Sequence, residues 1–394
     1  MKKVRVKAGV EVLSCGSFET IKGKRVGLVT NQTGVTESLR HVADALYESP
    51  EVKLTALFGP EHGIRGDLQD GLAEQSYTDG RTGVPVYSLY GETTKPTMDM
   101  LSNVDVLLFD IQDVGARYYT YIYTMSYAME AASETGIPFV VFDRPNPING
   151  VSVEGNILNP EFQSFVGRYP IPVRHGMTVG ELAMLFNTEY GIEADLKVVR
   201  MEDWLRDMWF DETGLVWVQP SPNIPTLDTA IVYPGTCLFE GTNVSEGRGT
   251  TKPFELLGAP WIDSSGLIAE LRSRELRGAL FRQAHFTPAF SKYCGERCGG
   301  VQVHVTERDT FRPFETGLHI VDAIRRLHPD RFEWTKPESG SHNYFDTLAG
   351  TDKIRKQLCD GSSVSEIIDG FQDELTRFIE MRRNYLVYDY QAPT

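Results

Sequence analysis

The segment Phe58-Gly-Pro-Glu61-His62-Gly-Ile-Arg65-Gly66 crowds a carboxylate, an imidazole and a guanidinium onto one turn among glycines and a proline. Glycine and proline restrict such a turn to few conformations, so its charged groups are aimed rather than free. A carboxyl leaving an apolar strand for a cleft loses water, and desolvation raises its pKa toward what a general acid needs near neutral pH. Glu61 is therefore the candidate acid, with His62 beside it. The architectural alternative is that Glu61 caps the turn or pairs with Arg65. A metal role for His62 has little support, because no further His or Asp follows at ligand spacing.

Three more segments carry reactive groups. Asp110-Ile-Gln112-Asp113-Val-Gly-Ala-Arg117-Tyr118-Tyr119 sets two carboxylates, an amide and an arginine ahead of tyrosines, a mixture suited to sugar hydroxyls and ring faces. Asp143-Arg144-Pro-Asn146-Pro sets an arginine beside stiff prolines, where it can grip an anion or a carboxylate of its own chain. Phe239-Glu-Gly-Thr-Asn243-Val-Ser-Glu246-Gly-Arg248-Gly alternates glycine and small polar residues with charge and reads as a binding loop. With Asn31, which follows the first apolar run, these segments supply the candidates. Glu61, His62, Asp110, Asp113 and Glu246 are candidate catalytic groups. Asn31, Arg65, Gln112, Arg117, Tyr118, Arg144, Asn146, Asn243 and Arg248 are candidate substrate contacts.

The elements that must position them repeat one theme, an apolar run, a polar loop, then a helical pattern, which is the signature of βα units on a parallel sheet. Arg25–Thr30, Lys53–Phe58, Val84–Leu89, Val104–Asp110 and Pro138–Asp143 read as strands buried on both faces. Leu39–Tyr47, Pro96–Leu101, Tyr121–Thr135 and Val179–Tyr190 read as helices, and Leu196–Met201 as a further strand. Ligands of such sheets bind beyond the carboxyl ends of the strands, where most of the candidates lie.

Residues 219–253 are crowded with Pro, Gly, Asn and Thr, which is loop chemistry. The expected organisation is a Rossmann-like parallel-sheet α/β domain over residues 1–250 and a smaller α+β domain over 251–394. In the second, Leu256–Leu280 reads as mostly helical, Gly300–Thr306 as a strand with one wet face, and Thr316–Leu327 and Val364–Tyr385 as amphipathic helices. No Gly/Ser linker separates the lobes, so they should pack tightly.

Composition sets outer bounds. The chain has 394 residues, 41% hydrophobic and 24% charged, with a net charge of −15. That is an ordinary globular composition, large enough for roughly two to three domains. An acidic surface repels phosphate backbones and anionic lipid, which excludes nucleic acid and membrane as expected partners and leaves a small substrate. There is neither a secretory apolar run nor a membrane span, so the chain as written is expected to be cytoplasmic, or secreted or periplasmic if a signal was trimmed. Five scattered cysteines favour reduced thiols, and Cys294-x-x-x-Cys298 lacks a second ligand pair for zinc. Neither GxxxxGK[ST] nor GxGxxG after the first strand is present, which disfavours nucleotides.

The set VGLVTNQTG (26–34), LFGPEHGIRG (57–66), FDIQDVGARYYTY (109–121), FDRPNPING (142–150) and FEGTNVSEGRGT (239–250) resembles the exo-β-N-acetylmuramidases, over nearly the whole chain. The resemblance implies a Rossmann-like catalytic domain, an auxiliary C-terminal domain and a cleft between them. It also implies removal of N-acetylmuramic acid from non-reducing ends of peptidoglycan glycans, without cofactor, and a catalytic glutamate at Glu61. Glycoside cleavage needs an acid on the leaving oxygen and a group to meet the oxocarbenium-like centre. That second group is either a carboxylate, Asp110, Asp113 or Glu246, or the substrate's own acetamido group. One of Arg117, Arg144 and Arg248 is expected to bind the lactyl carboxylate. Two other readings are a metal-dependent ester or amide hydrolase using Glu61, His62 and Asp110, and a non-catalytic saccharide-binding protein.

Overall fold

The computed structural model describes residues 5–15, 21–66, 76–336 and 342–390. The first six strands are β1 (Arg25–Thr30), β2 (Lys53–Gly59), β3 (Tyr77–Thr78), β4 (Pro85–Ser88), β5 (Val106–Asp110) and β6 (Phe139–Phe142). A hairpin follows, β7 (Glu154–Ile157) with β8 (Pro172–Arg174), and β9 (Leu196–Val199) returns to the first sheet. That sheet runs β3-β4-β2-β1-β5-β6-β9, parallel throughout except for the short β3 at its edge. Leaving β3 aside, the order is that of a Rossmann sheet, reversing between β1 and β5.

Alternate residues of each central strand feed opposite cores. Val26 and Leu28 of β1, Val106 and Leu108 of β5, and Val140 and Phe142 of β6 pack with the helices Gly9–Cys15 and Val42–Tyr47. Val29, Leu107, Phe109, Phe139 and Val141 face the other way, onto Tyr121–Thr135 and Val179–Glu189. With both faces covered, the strands read as continuous apolar runs. Their residue ranges match expectation to within one or two residues.

The second lobe holds β10 (Leu256–Ala259), β11 (Ala279–Phe286) and β12 (Cys298–Val305), antiparallel in the order β10-β12-β11. Its core is continuous with one face of the first sheet, so the lobes share hydrophobic packing as expected. Four expectations are corrected. The Pro/Gly-rich stretch contains the helix Leu227–Thr236, followed by a 3₁₀ turn, Cys237–Gly241. Gly235 there permits backbone contact with the helix Pro313–Leu327, since a Cβ would stand 1.8 Å from the Pro313 carbonyl oxygen. Leu256–Leu280 is strand, helix (Ser264–Ser273) and strand rather than mostly helix, because β10 and β11 both pair with β12. For the same reason β12 is central and buried from Cys298 to Val303, without a wet face. Val364–Tyr385 is broken into Val364–Asp369, Gln372–Arg382 and a 3₁₀ turn.

Cys237, Cys294, Cys298 and Cys359 are free thiols. Among the described residues no helix is long and apolar enough to cross a membrane.

Candidate active site

Each loop that leaves β2, β4 and β5 at its carboxyl end reaches the same place. Glu61 and His62 follow β2, Tyr90 follows β4, and Tyr118 to Tyr121 follow β5. Opposite them stand Tyr233, Cys237, Glu240, Arg248, Phe254 and Tyr344. Together they enclose a cavity of about 260 Å³ where the two lobes meet.

The turn that carries Glu61 is held in an uncommon conformation. His62, only 4% exposed, has φ 75° and Gly63 has φ 73°, two successive residues in the left-handed region. A non-glycine residue there is strained and persists only where its surroundings require it. The Glu61 carboxylate accepts a hydrogen bond from the Tyr90 hydroxyl, whose pKa burial and that carboxylate push up to about 12.

The opposite wall is fixed by backbone contact. A Cβ on Gly241 would lie 2.3 Å from the backbone of Phe345, so glycine lets the Cys237–Gly241 turn sit directly on the helix Tyr344–Ala349. Lys292 Nζ donates to the carbonyls of Phe239 (2.8 Å) and Val244 (3.2 Å) and lies 3.0 Å from Glu246. Arg248 Nη2 lies 2.7 Å from Glu240 and its Nε 3.4 Å from Glu246. Burial, then the charges of Glu246 and Glu61, push the Glu240 carboxyl up to about 8; Lys292 and a Tyr344 hydrogen bond oppose the shift. Burial pulls Arg248 down to about 10, still cationic at neutral pH. Burial also raises Tyr118, Tyr119, Tyr233 and Tyr344, so the tyrosines around the cavity are neutral donors.

Comparison with known proteins bears directly on this cavity. The family model for the N-terminal part of the exo-β-N-acetylmuramidase NamZ matches residues 26–228, and that for its C-terminal part matches residues 231–388. The chain belongs to the NamZ family. A Bacillus subtilis (strain 168) relative, the peptidoglycan β-N-acetylmuramidase NamZ, is 56% identical over 387 residues, 98% of this chain and 92% of that protein. Two solved structures of DUF1343 family proteins from Bacteroides fragilis NCTC 9343 are also similar. One has 38% identity and a TM-score of 0.90, covering 98% of this chain and 100% of its own. The other has 31% identity and a TM-score of 0.77, covering 98% and 99%.

Of the residues singled out in the sequence of this NamZ family member, Glu61, His62, Tyr118 and Arg248 line the cavity. Glu246 stands just behind it, 2% exposed, against Lys292 and Arg248. The others are not among the lining residues. Asp110 is fully buried against Arg144, at 2.5 and 2.9 Å, and Arg144 also donates to the Val35 carbonyl. Arg117, fully buried, donates to the carbonyls of Asn156, Ile171, Leu348 and Ala349, tying the lobes together. Neither arginine is among the residues that line the cavity, whereas Arg248 is. Asp113 accepts from the Gly115 amide and lies 3.7 Å from His175. Arg65 pairs with Asp44 and Asp79, both at 3.1 Å, and not with Glu61. Gln112 donates to the Asp113 and Pro145 carbonyls, and Asn146 to that of Met177. Asn31 accepts from the Thr33 amide and hydroxyl. Asn243 bridges Arg331 and Glu333. Among the described residues no group of three or more His, Cys, Asp or Glu side chains is arranged to hold a metal.

Sequence reasoning missed Glu240, although it lies in the same motif as Glu246 and Arg248. Its one signal was a position between Phe239 and Gly241, an apolar anchor and a residue permitting close approach. Tyr90, Tyr233 and Tyr344 gave none, since only the chain's path brings them to the cavity. A larger groove, about 600 Å³, between residues 156–160 and the C-terminal helices contains none of the candidates.

Proposed function

We propose that this protein is an exo-acting glycosidase that releases N-acetylmuramic acid from the non-reducing ends of peptidoglycan fragments, with Glu61 as its general acid. The observation that carries the reading is Glu61 and Arg248 together in one small cavity ringed by tyrosine hydroxyls, in a member of the NamZ family. At about 260 Å³ the cavity is below the usual range of roughly 300–1,000 Å³ for drug-sized ligands, room for one sugar ring rather than a length of glycan. That size supports terminal attack. Neutral tyrosines offer hydroxyls to the sugar's hydroxyls and ring faces to its apolar side.

Glu61 gives its proton to the glycosidic oxygen as the bond to C1 lengthens, and Tyr90 orients the carboxyl. Arg248 is the remaining lactyl arginine and can bind that carboxylate with charge-assisted hydrogen bonds. The reaction asks for no cofactor. The test is hydrolysis of a chromogenic β-N-acetylmuraminide beside the matching β-N-acetylglucosaminide. The muraminide is expected to be cleaved far faster, and Glu61→Gln to lose about two to four powers of ten in kcat. Equal rates on both sugars, or full turnover in the variant, would refute the assignment.

A further inference from the structure

The loop that joins β11 to β12 closes over residues 239–249, the stretch that carries Glu240, Glu246 and Arg248. The Ala289 amide donates to the Gly249 carbonyl at 2.9 Å, and a Cβ on Gly249 would stand 2.6 Å from the Phe290 backbone, so glycine lets the two loops touch. The Tyr293 hydroxyl donates to the Asn243 carbonyl at 2.6 Å. Between these anchors sits Lys292, its side chain 25% exposed, flanked by Ser291 at φ 69° and Tyr293 at φ 58°. Left-handed backbone is costly at non-glycine residues and persists only where the surroundings impose it. Here it stands on both sides of one lysine.

Lys292 Nζ lies within 3.4 Å of four oxygens: the carbonyls of Phe239 (2.8 Å), Val244 (3.2 Å) and Glu240 (3.4 Å) and the Glu246 carboxylate (3.0 Å). It thereby ties the Cys237–Gly241 turn to Glu246. The other carboxylate oxygen of Glu246 lies 3.4 Å from Arg248 Nε. The Glu246 carbonyl accepts from the Phe254 amide at 2.6 Å, and the Arg248 guanidinium stands 5.2 Å from the centre of the Phe254 ring. Resting on the muramidase reading, we propose that Lys292 is a positioning residue, which acts through Glu246 to hold the Arg248 guanidinium toward the lactyl carboxylate of the terminal sugar. Arginine has many rotamers, and a contact made by an already oriented side chain keeps the binding energy that ordering would otherwise consume. A carboxylate as buried as Glu246 needs a cation of its own to stay in place, and Lys292 supplies it. Glu246, read from the sequence as a catalytic candidate, then serves the sugar only through Arg248. The C-terminal lobe thus sets specificity from a loop that does not line the cavity.

Steady-state kinetics on the chromogenic β-N-acetylmuraminide test this, with inhibition by free N-acetylglucosamine as the lactyl-free control. Lys292→Met, and Glu246→Gln with its shape unchanged, should each raise KM roughly tenfold with kcat unaltered, because Glu61 stands on the opposite wall. The inhibition constant of N-acetylglucosamine should hold. Added to Arg248→Met, either substitution should raise KM no further, since the residue it acts through is gone. A general loss of structure would instead weaken both sugars and add to the Arg248→Met effect, and either result overturns the proposal. So does an unchanged KM in both variants; if Lys292→Met does not fold, Glu246→Gln alone decides. A wild-type protein that cleaves the muraminide while the variants behave like it refutes this inference alone. One that does not cleave the muraminide refutes the reading beneath it.

Discussion

Two arginine–carboxylate pairs, one lining the cavity and one away from it, show how the same chemistry can be spent in opposite ways. Arg144 and Asp110, at the carboxyl ends of β6 and β5, form a closed pair: one cation, one anion, 6% and 0% exposed, with the spare guanidinium donor on the Val35 carbonyl. Arg248 and Glu240, 2.7 Å apart, border a cavity the size of a sugar ring. The closed pair has no valence left for a ligand. The open pair faces a space that a ligand can enter. Both arginines looked alike in the sequence, because what separates them is whether the fold leaves them beside the cavity.

The largest expected difference is in stability. Asp110→Ala leaves Arg144 buried without its partner and should cost about 3–5 kcal/mol in denaturant unfolding, whereas Arg248→Met, whose loss is shared by a cavity open to water, should cost far less. Comparable losses would erase the distinction. The next is in binding: Arg248→Met removes a charge-assisted contact of about 1.5–3 kcal/mol, so KM for a muraminide should rise roughly 10- to 100-fold, with the glucosaminide little changed. A matched rise on both sugars would return Arg248 to architecture.

The smallest concerns Glu154, a third buried carboxyl, which accepts a hydrogen bond from the Glu315 amide at the start of the helix Pro313–Leu327. Burial pushes it up from 4.5 to about 7. A carboxyl raised in the folded state ionises first in the unfolded chain, so folding loses stability as pH climbs from about 4.5 to about 7, then levels. Glu154→Gln should flatten that decline in Tm; an unchanged Tm profile would show that Glu154 ionises freely in the fold.

The Rossmann half was legible because parallel strands covered on both faces write uninterrupted apolar runs, and Tyr121–Thr135 ends, as expected, at a left-handed Gly136. The second lobe was less so. Its strands are set by pairing with β12, and before it Gly235 and Gly241 serve close packing where the sequence suggested loops. The site divided along the same line. Glu61 and Arg248 were readable from local chemistry, while Asp110, Arg117 and Arg144 presented the same chemistry and turned inward. Glu240 and Tyr344 become site residues only once the lobes meet.

The central claim is that Glu61 delivers a proton to the departing sugar, and dependence on the leaving group tests it most directly. Glu61→Gln should be nearly inactive on an unactivated muramyl disaccharide, yet keep a much larger share of wild-type kcat on a nitrophenyl muraminide, whose leaving group departs without protonation. An equal fractional loss on both substrates would contradict the account.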